Sequence, residues 1–445
     1  MVSDTKSLLI HGAHVVRSTP CLEEHLRNTP CLGQKGSGAS WTKGCEGQKG
    51  SGDSVQDGRV DILIRDGVIT AVGRGLSSDG VAAVEAGGLT CLPAFCDLHA
   101  HFRDPGQTQK EDLASGSHAA VHGGYTAVNL MPNTKPVISS RLQVQDVLDR
   151  AAAIGLVDVH QCASITRDMD GKTVSHLELL GTAVRIVTED GHDVMDARVM
   201  LQAMTAAARL GLTVMCHCED MNLSGTDYRL AEDLMTHRNI ELARAAGCRL
   251  HIAHISTEGS MRAVIAAKER GQAVTCEVTP HHLALTSATS YRVNPPLRTQ
   301  QDVDFLIRAV EQGWVDAIAT DHAPHTADDK AAGAPGMVGL ETAFGVCYTT
   351  LVRPGHVTLA RLTELMSENP ASILGLNKGC IAPGYDGDLV LVDLHTPWTV
   401  DATAFASKGR NTPFEGRTLV GRVIITIKAG RIVYDDTTSN QEARQ

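Results

Sequence analysis

The chain has 445 residues, with 40 Lys and Arg against 51 Asp and Glu, so its formal net charge is −11. This balance, without any cluster of Lys and Arg, argues against nucleic acid as a main partner, because binding a phosphate backbone needs a basic surface. A hydrophobic content of 42% excludes disorder for most of the chain, and no apolar run approaches the roughly 18 residues of a membrane span.

The amino terminus, MVSDTKSLLIHGAHVV, lacks the basic flank and apolar segment of a secretory signal. The chain contains 12 cysteines, but half of them lie in apolar runs that look like strands. That setting is typical of small buried thiols in a reducing compartment. The sequence therefore predicts a cytoplasmic protein in which these six cysteines are buried thiols: Cys91, Cys96, Cys162, Cys216, Cys218 and Cys276.

Both ends of the chain carry strand-like sequences. SLLIHGAHVV and RVDILIRDGVITAVG lie near the amino terminus, and DLVLVDL, RVIITIKAG and RIVYDD lie near the carboxyl terminus. Their short, β-branched runs separated by turn residues are typical of hairpins. We expect residues 1–92 and 377–445 to form one small β-sandwich around a central domain at 93–376.

A segment from about residue 19 to residue 57 differs from everything around it. It is rich in Gly, Ser, Lys and Cys, has no periodicity, and repeats GQKGSG at 33–38 and 47–52. We expect a flexible insertion. The alternative is a zinc knuckle, although the spacings match no compact knuckle; its ligands would be Cys21, His25, Cys31 and Cys45.

Between the two ends, eight apolar strand-like runs alternate with helical patterns such as those at 194–210 and 259–270. Eight βα repeats predict an α/β fold in which the strands close into a parallel (β/α)₈ TIM barrel. A doubly wound open sheet is the alternative, but it seldom has eight strands so regularly spaced. The predicted strands are 94–99, 126–131, 157–166, 183–189, 213–217, 249–254, 273–278 and 316–320.

Candidate metal ligands gather at the ends of five predicted strands. The chain has 20 histidines but only 3% aromatic residues, and histidine is the commonest metal ligand. The first strand ends in DLHAH, so alternation points His99 and His101 into the barrel mouth, with Leu98 and Ala100 outward. Active sites of such barrels form at this end of the strands. The other strands end at Glu189 and Asp190, His217, His254 and Asp321.

Other strand histidines are expected to have structural roles, since a single histidine on a strand is more often a core residue than a ligand. His251 is three residues from His254, so alternation places it on the opposite face. His281 and His282 follow a strand without other ligands, and we expect them to pack around the site or support it.

Eight ordered motifs carry a family resemblance: DLHAHFRDPG, NLMPNTKP, TEDG, HCED, HIST, NPPLR, ATDHAPH and GLET. The chain resembles the bacterial-type dihydroorotases of the amidohydrolase superfamily, apart from the insertion and the last few residues. The resemblance implies a cyclic amidohydrolase that reversibly hydrolyses L-dihydroorotate to N-carbamoyl-L-aspartate in pyrimidine biosynthesis.

The resemblance also implies two zinc ions per subunit. By similarity, His99, His101 and Asp321 hold the more buried ion, His217 and His254 hold the second, and Asp190 bridges them. Many relatives use a carboxylated lysine as the bridge, but AVRIVTED offers no lysine, which points away from hydantoinases and allantoinases. Glu189 is an alternative bridge; we favour Asp190 because it directly precedes Gly191 at the turn.

Four further residues match positions that bind substrate in the family. Arg103, Asn133 and His325 match its carboxylate-binding positions, and Asn294 in NPPLR is expected to hydrogen-bond the pyrimidine ring. For Arg103 the alternative is a loop salt bridge with Asp104. In the implied reaction a zinc-activated hydroxide attacks the ring amide carbonyl, and Asp321 passes its proton to the leaving nitrogen.

Two other functions compete with this one. Another cyclic amidohydrolase, an allantoinase or a dihydropyrimidinase, is disfavoured by the missing lysine and by Arg103 with Asn133. A non-catalytic dihydroorotase-like partner of aspartate carbamoyltransferase is disfavoured because all six ligands are present. We expect a homodimer, with association with aspartate carbamoyltransferase left open. The segment between His217 and His254 is shorter than the resemblance implies.

Overall fold

The computed structural model describes residues 6–16, 59–78 and 80–437. The predicted insertion at about 19–57 and the alternative zinc knuckle therefore lie outside the described residues. Within these ranges no helix combines the length and the apolar character that crossing a membrane requires.

Five strands precede the central part of the chain. β1 and β2 pair antiparallel, and β2 joins β3 through a hairpin whose two turn residues, Asp66 and Gly67, have φ values of 51° and 83°. Positive φ at both positions is the type I′ geometry that Asp-Gly favours. β1 also pairs in parallel with β4 and β5. The strands are β1 (Leu8–Val15), β2 (Val60–Arg65), β3 (Val68–Gly73), β4 (Ala82–Glu85) and β5 (Thr90–Pro93).

Eight strands follow, one for each strand predicted in the central domain. β6, β7 and β8 form one parallel sheet, and β9 to β13 form a second parallel sheet. Parallel bridges Ala163–Val187 and Ala100–His322 link the two sheets at both pairs of edges. The strands are β6 (Phe95–Ala100), β7 (Tyr125–Leu130), β8 (Asp158–Gln161), β9 (Ile186–Thr188), β10 (Thr213–Cys216), β11 (Arg249–Ile252), β12 (Val274–Val278) and β13 (Ala317–Ile318).

A buried cluster draws one or two side chains from seven of these strands or their ends. The prediction that Leu98 points outward is wrong, because Leu98 belongs to this cluster. The register of β6 against β7 shifts between Asp97 and Ala100, so simple alternation fails just before the predicted ligands. The cluster comprises Leu98, Met131, Cys162, Ile186, Met215, Ala253, Ala317, Ala319 and Leu374.

The helices between the strands begin at polar caps. The helix predicted at 194–210 begins after Asp196, whose carboxylate accepts from the N–H groups of Arg198 and Val199. The helix predicted at 259–270 begins after Thr257, whose hydroxyl accepts from the N–H of Ser260. Each side chain satisfies backbone donors that have no partner in the first helical turn.

The third connection departs from the predicted βα repeat. Between β8 and β9 the structure has two short 3₁₀-helices, Arg167–Met169 and Ser175–Leu179. Asp168 and Met169 have φ values of 53° and 58°, which a continuous α-helix excludes.

The α-helices are Leu113–His122, Arg141–Ile154, Ala197–Leu210, Tyr228–Ala246, Glu258–Glu269, Pro280–Ala284, Gln300–Glu311, Ala327–Ala331, Ala343–Cys347, Leu359–Thr363 and Asn369–Leu374; Tyr348–Val352 and Glu364–Glu368 are π-helical and Ala402–Ala404 is 3₁₀.

Three of the last five strands, β14, β17 and β18, join the sheet of the first five, while β15 and β16 pair with each other. β14 pairs antiparallel with β5 on one side and with β17 on the other. Strands from both chain ends therefore share one connected sheet, in the order β18-β17-β14-β5-β1-β2-β3, with its own apolar core. The strands are β14 (Leu389–Asp393), β15 (Trp398–Thr399), β16 (Thr418–Leu419), β17 (Arg422–Lys428) and β18 (Arg431–Asp435).

Candidate metal centre

Five strands bring the six predicted ligands to one place. Each ligand lies in the last part of its strand or within three residues of the strand's end. Every one has 6% or less of its surface exposed. The six are His99 on β6, His101 directly after β6, Asp190 after β9, His217 after β10, His254 after β11 and Asp321 after β13.

The Asp190 carboxylate lies among four imidazole rings. Its Oδ1 is 3.1 Å from Nε2 of His99, 3.7 Å from Nδ1 of His217 and 3.6 Å from Nε2 of His254. Its Oδ2 is 3.3 Å from Nε2 of His101. Burial alone would raise the pKa of Asp190, but the imidazoles, His99 foremost, hold it well below its usual value. Asp190 is therefore an ionised carboxylate shared by all four rings.

Asp321 lies on the other side of His99 and His101. Its Oδ1 is 3.2 Å from Nε2 of His101 and 3.7 Å from Nε2 of His99. Burial opposes ionisation, yet the hydrogen bond to His101 and the nearby imidazoles lower the pKa of Asp321. Its φ of 46° lies in the left-handed region, so the direction of its side chain does not follow from alternation along a strand. Two overlapping sets result, His99 with His101 and Asp321, and His99 with Asp190 and His254.

His217 and His254 face each other nitrogen to nitrogen. Nδ1 of His217 is 2.8 Å from Nε2 of His254. The opposite nitrogen of His217, Nε2, lies 2.8 Å from Oε2 of Glu219. Because a carboxylate only accepts hydrogen bonds, His217 carries its proton on Nε2 and turns the Nδ1 lone pair towards His254.

The donor set fits a divalent metal ion. Nε2 of His99 is buried and has no hydrogen-bond partner among the described residues, although it faces Asp190 and Asp321. Nδ1 of His99 is 2.9 Å from Oε1 of Glu277, so its proton lies on that side. Imidazole nitrogens and carboxylate oxygens converging in a buried site are the ligands that such ions prefer.

Glu189 points away from this cluster. Its Oε1 accepts from the backbone N–H of Thr166 at 2.6 Å and from the Thr166 hydroxyl. Burial raises the pKa of Glu189. Of the two acids considered as a bridge, the structure places Asp190 and not Glu189 among the imidazoles.

Arg103 lies at the edge of the cluster beside His325. Its Nε donates to the carbonyl of Pro324 at 3.3 Å, and one of its terminal nitrogens is 3.4 Å from Nε2 of His325. The alternative salt bridge with Asp104 is absent, because Arg150 pairs with Asp104 at 2.9 Å. Burial, together with the charge of Arg103, lowers the pKa of His325 to about 3. A charged guanidinium and a neutral imidazole thus lie side by side.

The two predicted asparagines contact ligands. Oδ1 of Asn133 is 3.0 Å from Nδ1 of His101, and its Nδ2 donates to Oδ2 of Asp190 at 3.2 Å. Nδ2 of Asn294 is 3.3 Å from Nε2 of the ligand His217 and donates to Oε2 of Glu219 at 2.9 Å. A cavity of about 670 Å³ lies beside Asn294 and Glu219. All four predicted substrate residues therefore lie at the cluster, with both amides also holding its ligands in place.

Glu277 is a site residue that the sequence analysis missed. Its Oε1 is 2.9 Å from Nδ1 of His99 and its Oε2 is 3.1 Å from Nε2 of His251. Burial would raise the pKa of Glu277, but hydrogen bonds from His251 and His99 lower it to about 2. The sequence signal that could have identified Glu277 is that it is the single acidic residue within the apolar strand β12.

The prediction that His251 and His254 lie on opposite faces is wrong. Glu277 receives the rings of both His251 and His99, and the ring of His254 lies 5.1 Å from that of His99. His254 lies beyond the end of β11 and has a φ of 32°, so strand alternation no longer applies to it.

Asp97 is a second missed residue. Its carboxylate accepts from the backbone N–H of Thr320 at 3.0 Å, from the Thr320 hydroxyl at 2.5 Å and from the N–H of His99 at 3.2 Å. Burial raises the pKa of Asp97 to about 6. Asp97 thus ties the end of β6 to the residue before Asp321.

His281 and His282 pack beside the cluster. Both are buried, with ring centroids 4.5 Å apart. Nδ1 of His282 is 2.8 Å from the Thr279 hydroxyl and Nε2 is 3.0 Å from the carbonyl of Pro295. Burial lowers the pKa of His282 to about 4.

The six cysteines predicted as buried thiols are all free and buried.

Comparisons with known proteins agree with this geometry. Residues 90–433 match the model of the amidohydrolase family. A dihydroorotase of Clostridium botulinum is 49% identical over 385 residues, covering 86% of this chain and 97% of that protein. A dihydroorotase of Anaeromyxobacter dehalogenans is 43% identical over 415 residues, covering 86% and 96%.

Solved structures of cyclic amidohydrolases share the fold. The dihydropyrimidinase of Brevibacillus agri superimposes with a TM-score of 0.79 at 21% identity, covering 97% of this chain and 95% of that chain. The L-hydantoinase of Arthrobacter aurescens gives a TM-score of 0.78 at 23% identity, covering 98% and 97%. At these identities the likeness is one of architecture.

Proposed function

We infer that the chain, which belongs to the amidohydrolase family and within it to the dihydroorotases, reversibly hydrolyses L-dihydroorotate to N-carbamoyl-L-aspartate in pyrimidine biosynthesis. The observation that carries this is the Asp190 carboxylate within 3.1–3.7 Å of four imidazoles. By the family resemblance, Asp190 stands for the carboxylated lysine that bridges the metal ions in many other cyclic amidohydrolases. Sequence identity of 49% to a dihydroorotase supports dihydroorotate as the substrate.

Two zinc ions per subunit are part of the proposal. The first would be held by His99, His101 and Asp321, and the second by His217 and His254, with Asp190 shared between them. The unpartnered Nε2 of His99 supports this assignment. Bound zinc lowers the pKa of water towards neutrality and polarises a carbonyl oxygen.

Asp321 is the proposed proton carrier. Its Oδ1 lies at the cluster, 3.2 Å from His101, and an ionised carboxylate there can accept a proton from attacking water. It then donates that proton to the ring nitrogen that leaves when the cyclic amide opens, and the reverse sequence serves ring closure. Asp97 accepts a hydrogen bond from the backbone N–H of Thr320, and this contact fixes the backbone next to Asp321.

Arg103 is the proposed partner of the substrate carboxylate. Its guanidinium can donate two parallel hydrogen bonds to a carboxylate, which a point charge cannot do. The neutral imidazole of His325 lies beside it, and Asn133 and Asn294 supply amide groups for the ring. Since the whole chain carries a net charge of −11, the local charge of Arg103 must attract an anionic substrate against the overall field.

A closed (β/α)₈ barrel with a small β-sandwich is the proposed architecture. The two edge bridges, Ala163–Val187 and Ala100–His322, support closure of the eight strands. The pairing of β5 with β14 supports a sandwich built from both ends. Residues 93–376 would then form the barrel domain, and 1–92 with 377–445 the sandwich.

A cytoplasmic location and a homodimer complete the proposal. Eight of the nine cysteines among the described residues are free and buried, which suits a reducing compartment, whereas Cys380 is disulfide-bonded. We propose a homodimer, and association with aspartate carbamoyltransferase stays open. Light scattering of the purified protein, alone and with aspartate carbamoyltransferase, would test both.

The function is tested by comparing substrates on one zinc-loaded preparation. We expect turnover of dihydroorotate and of carbamoyl aspartate, and little of allantoin or dihydrouracil. Turnover of allantoin or dihydrouracil in place of dihydroorotate would instead favour the other cyclic amidohydrolases. A preparation that holds no metal and turns over no substrate after zinc is added would favour the non-catalytic partner of aspartate carbamoyltransferase.

A further inference from the structure

Glu277 connects two buried histidines beneath the candidate metal centre. The side chains of Glu277, His99 and His251 are all fully buried. Oε1 of Glu277 lies 2.9 Å from Nδ1 of His99, and Oε2 lies 3.1 Å from Nε2 of His251. A carboxylate is stable in such a place only when its oxygens are paired with donors.

The direction of these hydrogen bonds follows from the chemistry of the carboxylate. Because Glu277 can only accept, Nδ1 of His99 and Nε2 of His251 both carry protons. Nδ1 of His251 then accepts from the hydroxyl of Thr275, 2.8 Å away. Nε2 of His99 is therefore the ring nitrogen directed at Asp190 and Asp321, and it offers a lone pair to an ion once its proton is lost.

Glu277 also holds both halves of the centre. The oxygen that receives His99 receives the backbone N–H of His254 at 3.4 Å. His99 comes from β6 and His254 follows β11, so one carboxylate fixes ligands from two distant strands. Any shift of Glu277 would therefore move both ligands.

We propose that Glu277 is a positioning residue of the metal centre, which fixes His99 in the tautomer that presents Nε2 to the ion. His251 is the second donor that keeps the carboxylate in place. Partners that orient metal-ligating histidines in this way strengthen metal binding by about 10- to 100-fold. The inference rests on the proposed function, because it requires that the six ligands bind zinc.

The test measures zinc affinity by competition with a chelator, on metal-free protein to which zinc is returned. Glu277→Gln replaces one accepting oxygen with a donor, so it cannot receive both histidines. Glu277→Asp keeps the charge but shortens the reach to both rings. We expect each variant to bind zinc about 10- to 100-fold more weakly than the wild-type chain.

A matched control is Glu232→Gln. Glu232 is also a buried carboxylate, with described hydrogen bonds to Ser256, Thr257 and Arg298. This variant should lower the unfolding temperature while its zinc affinity stays within about twofold of wild type, since Glu232 orients no histidine. It separates the loss of a buried charge from the loss of ligand positioning.

The outcomes are distinct. If the wild-type chain binds no zinc, the proposed function fails and the inference fails with it. If the wild-type chain binds zinc and Glu277→Gln binds it equally well, with only a lower unfolding temperature, Glu277 is structural and the inference alone is overturned. If Glu277→Gln does not fold, Glu277→Asp decides by the same criterion.

Discussion

Nδ1 of His217 and Nε2 of His254 lie 2.8 Å apart, with Nε2 of His217 committed to Glu219. The His217 nitrogen that faces His254 therefore carries a lone pair. Two ring nitrogens from neighbouring strands, β10 and β11, converge on the same side as Asp190. An ion between the two rings and the Asp190 carboxylate would accept a lone pair from each of these three groups.

Removal of metal should lower both activity and stability. Without an ion, His217, His254 and Asp190 keep buried polar atoms that a metal would otherwise satisfy, and binding of the ion to the folded state alone stabilises it. We expect chelator treatment to abolish turnover of dihydroorotate and to lower the unfolding temperature, with zinc restoring both. The measurement is thermal unfolding and activity before and after dialysis; an unchanged unfolding temperature would contradict the assignment.

Asp321→Asn should stop turnover while the fold is retained. Asn has the same shape, tolerates the φ of 46° at this position, and cannot accept and return a proton. We expect kcat to fall at least about 1,000-fold, which lies within the 10²- to 10⁴-fold contribution of proton transfer. A fall of more than about 10⁴-fold would show that a metal ligand is lost as well. Steady-state kinetics and circular dichroism on one sample check this. Substantial residual kcat in a folded, metal-containing variant would remove Asp321 from the proposed role.

Arg103→Met should chiefly weaken binding of the substrate. The variant keeps an apolar stem of similar length but loses the charged pair with a carboxylate, so KM for dihydroorotate should rise about 10- to 100-fold. Arg150→Met is the matched control, because Arg150 pairs with the neighbouring Asp104 and is partly exposed. Its KM should stay near the wild-type value. Equal KM values for both variants would place Arg103 outside the substrate site.

His282 should make stability depend on pH. Its pKa is about 4 in the folded chain, lowered by burial, against 6.5 in the unfolded chain, so between these values the unfolded state binds more protons. The free energy of unfolding should therefore be complete above pH 6.5 and decline as the pH falls towards 4, by up to about 3 kcal/mol.

The check on His282 is denaturant unfolding of the metal-free wild-type chain and of His282→Gln at pH 4.5 and pH 7. Gln does not titrate, so the difference in unfolding free energy between the two pH values should be smaller in the variant. An equal pH difference in the two proteins would show that His282 does not hold its neutral form in the fold.

Hydrophobic periodicity predicted the positions of the central strands well. Each of the eight predicted runs overlaps a strand, because short buried apolar runs in parallel strands differ strongly from amphipathic helices. The third connection was mispredicted, since Asp168 and Met169 adopt positive φ for reasons that no periodicity records. The residues at about 19–57 lie outside the described part, so the insertion stays a prediction.

The site was predictable as far as it depends on strand ends. His99, His101, His217 and His254 could be found because ligand types recur at the ends of strands. Glu277 could not, because its role depends on contacts across β6, β11 and β12. Alternation also failed at Leu98, where the register of β6 against β7 shifts, and between His251 and His254, where His254 has a positive φ.

The zinc content of Asp190→Asn tests the central claim most directly. The claim is that the Asp190 carboxylate, within 3.1–3.7 Å of four imidazoles, is shared by two ions. Elemental analysis of the purified wild-type chain should give two zinc ions per subunit with turnover of dihydroorotate, and Asp190→Asn should hold at most one ion and lose turnover. Two ions per subunit and undiminished turnover in Asp190→Asn would contradict the account.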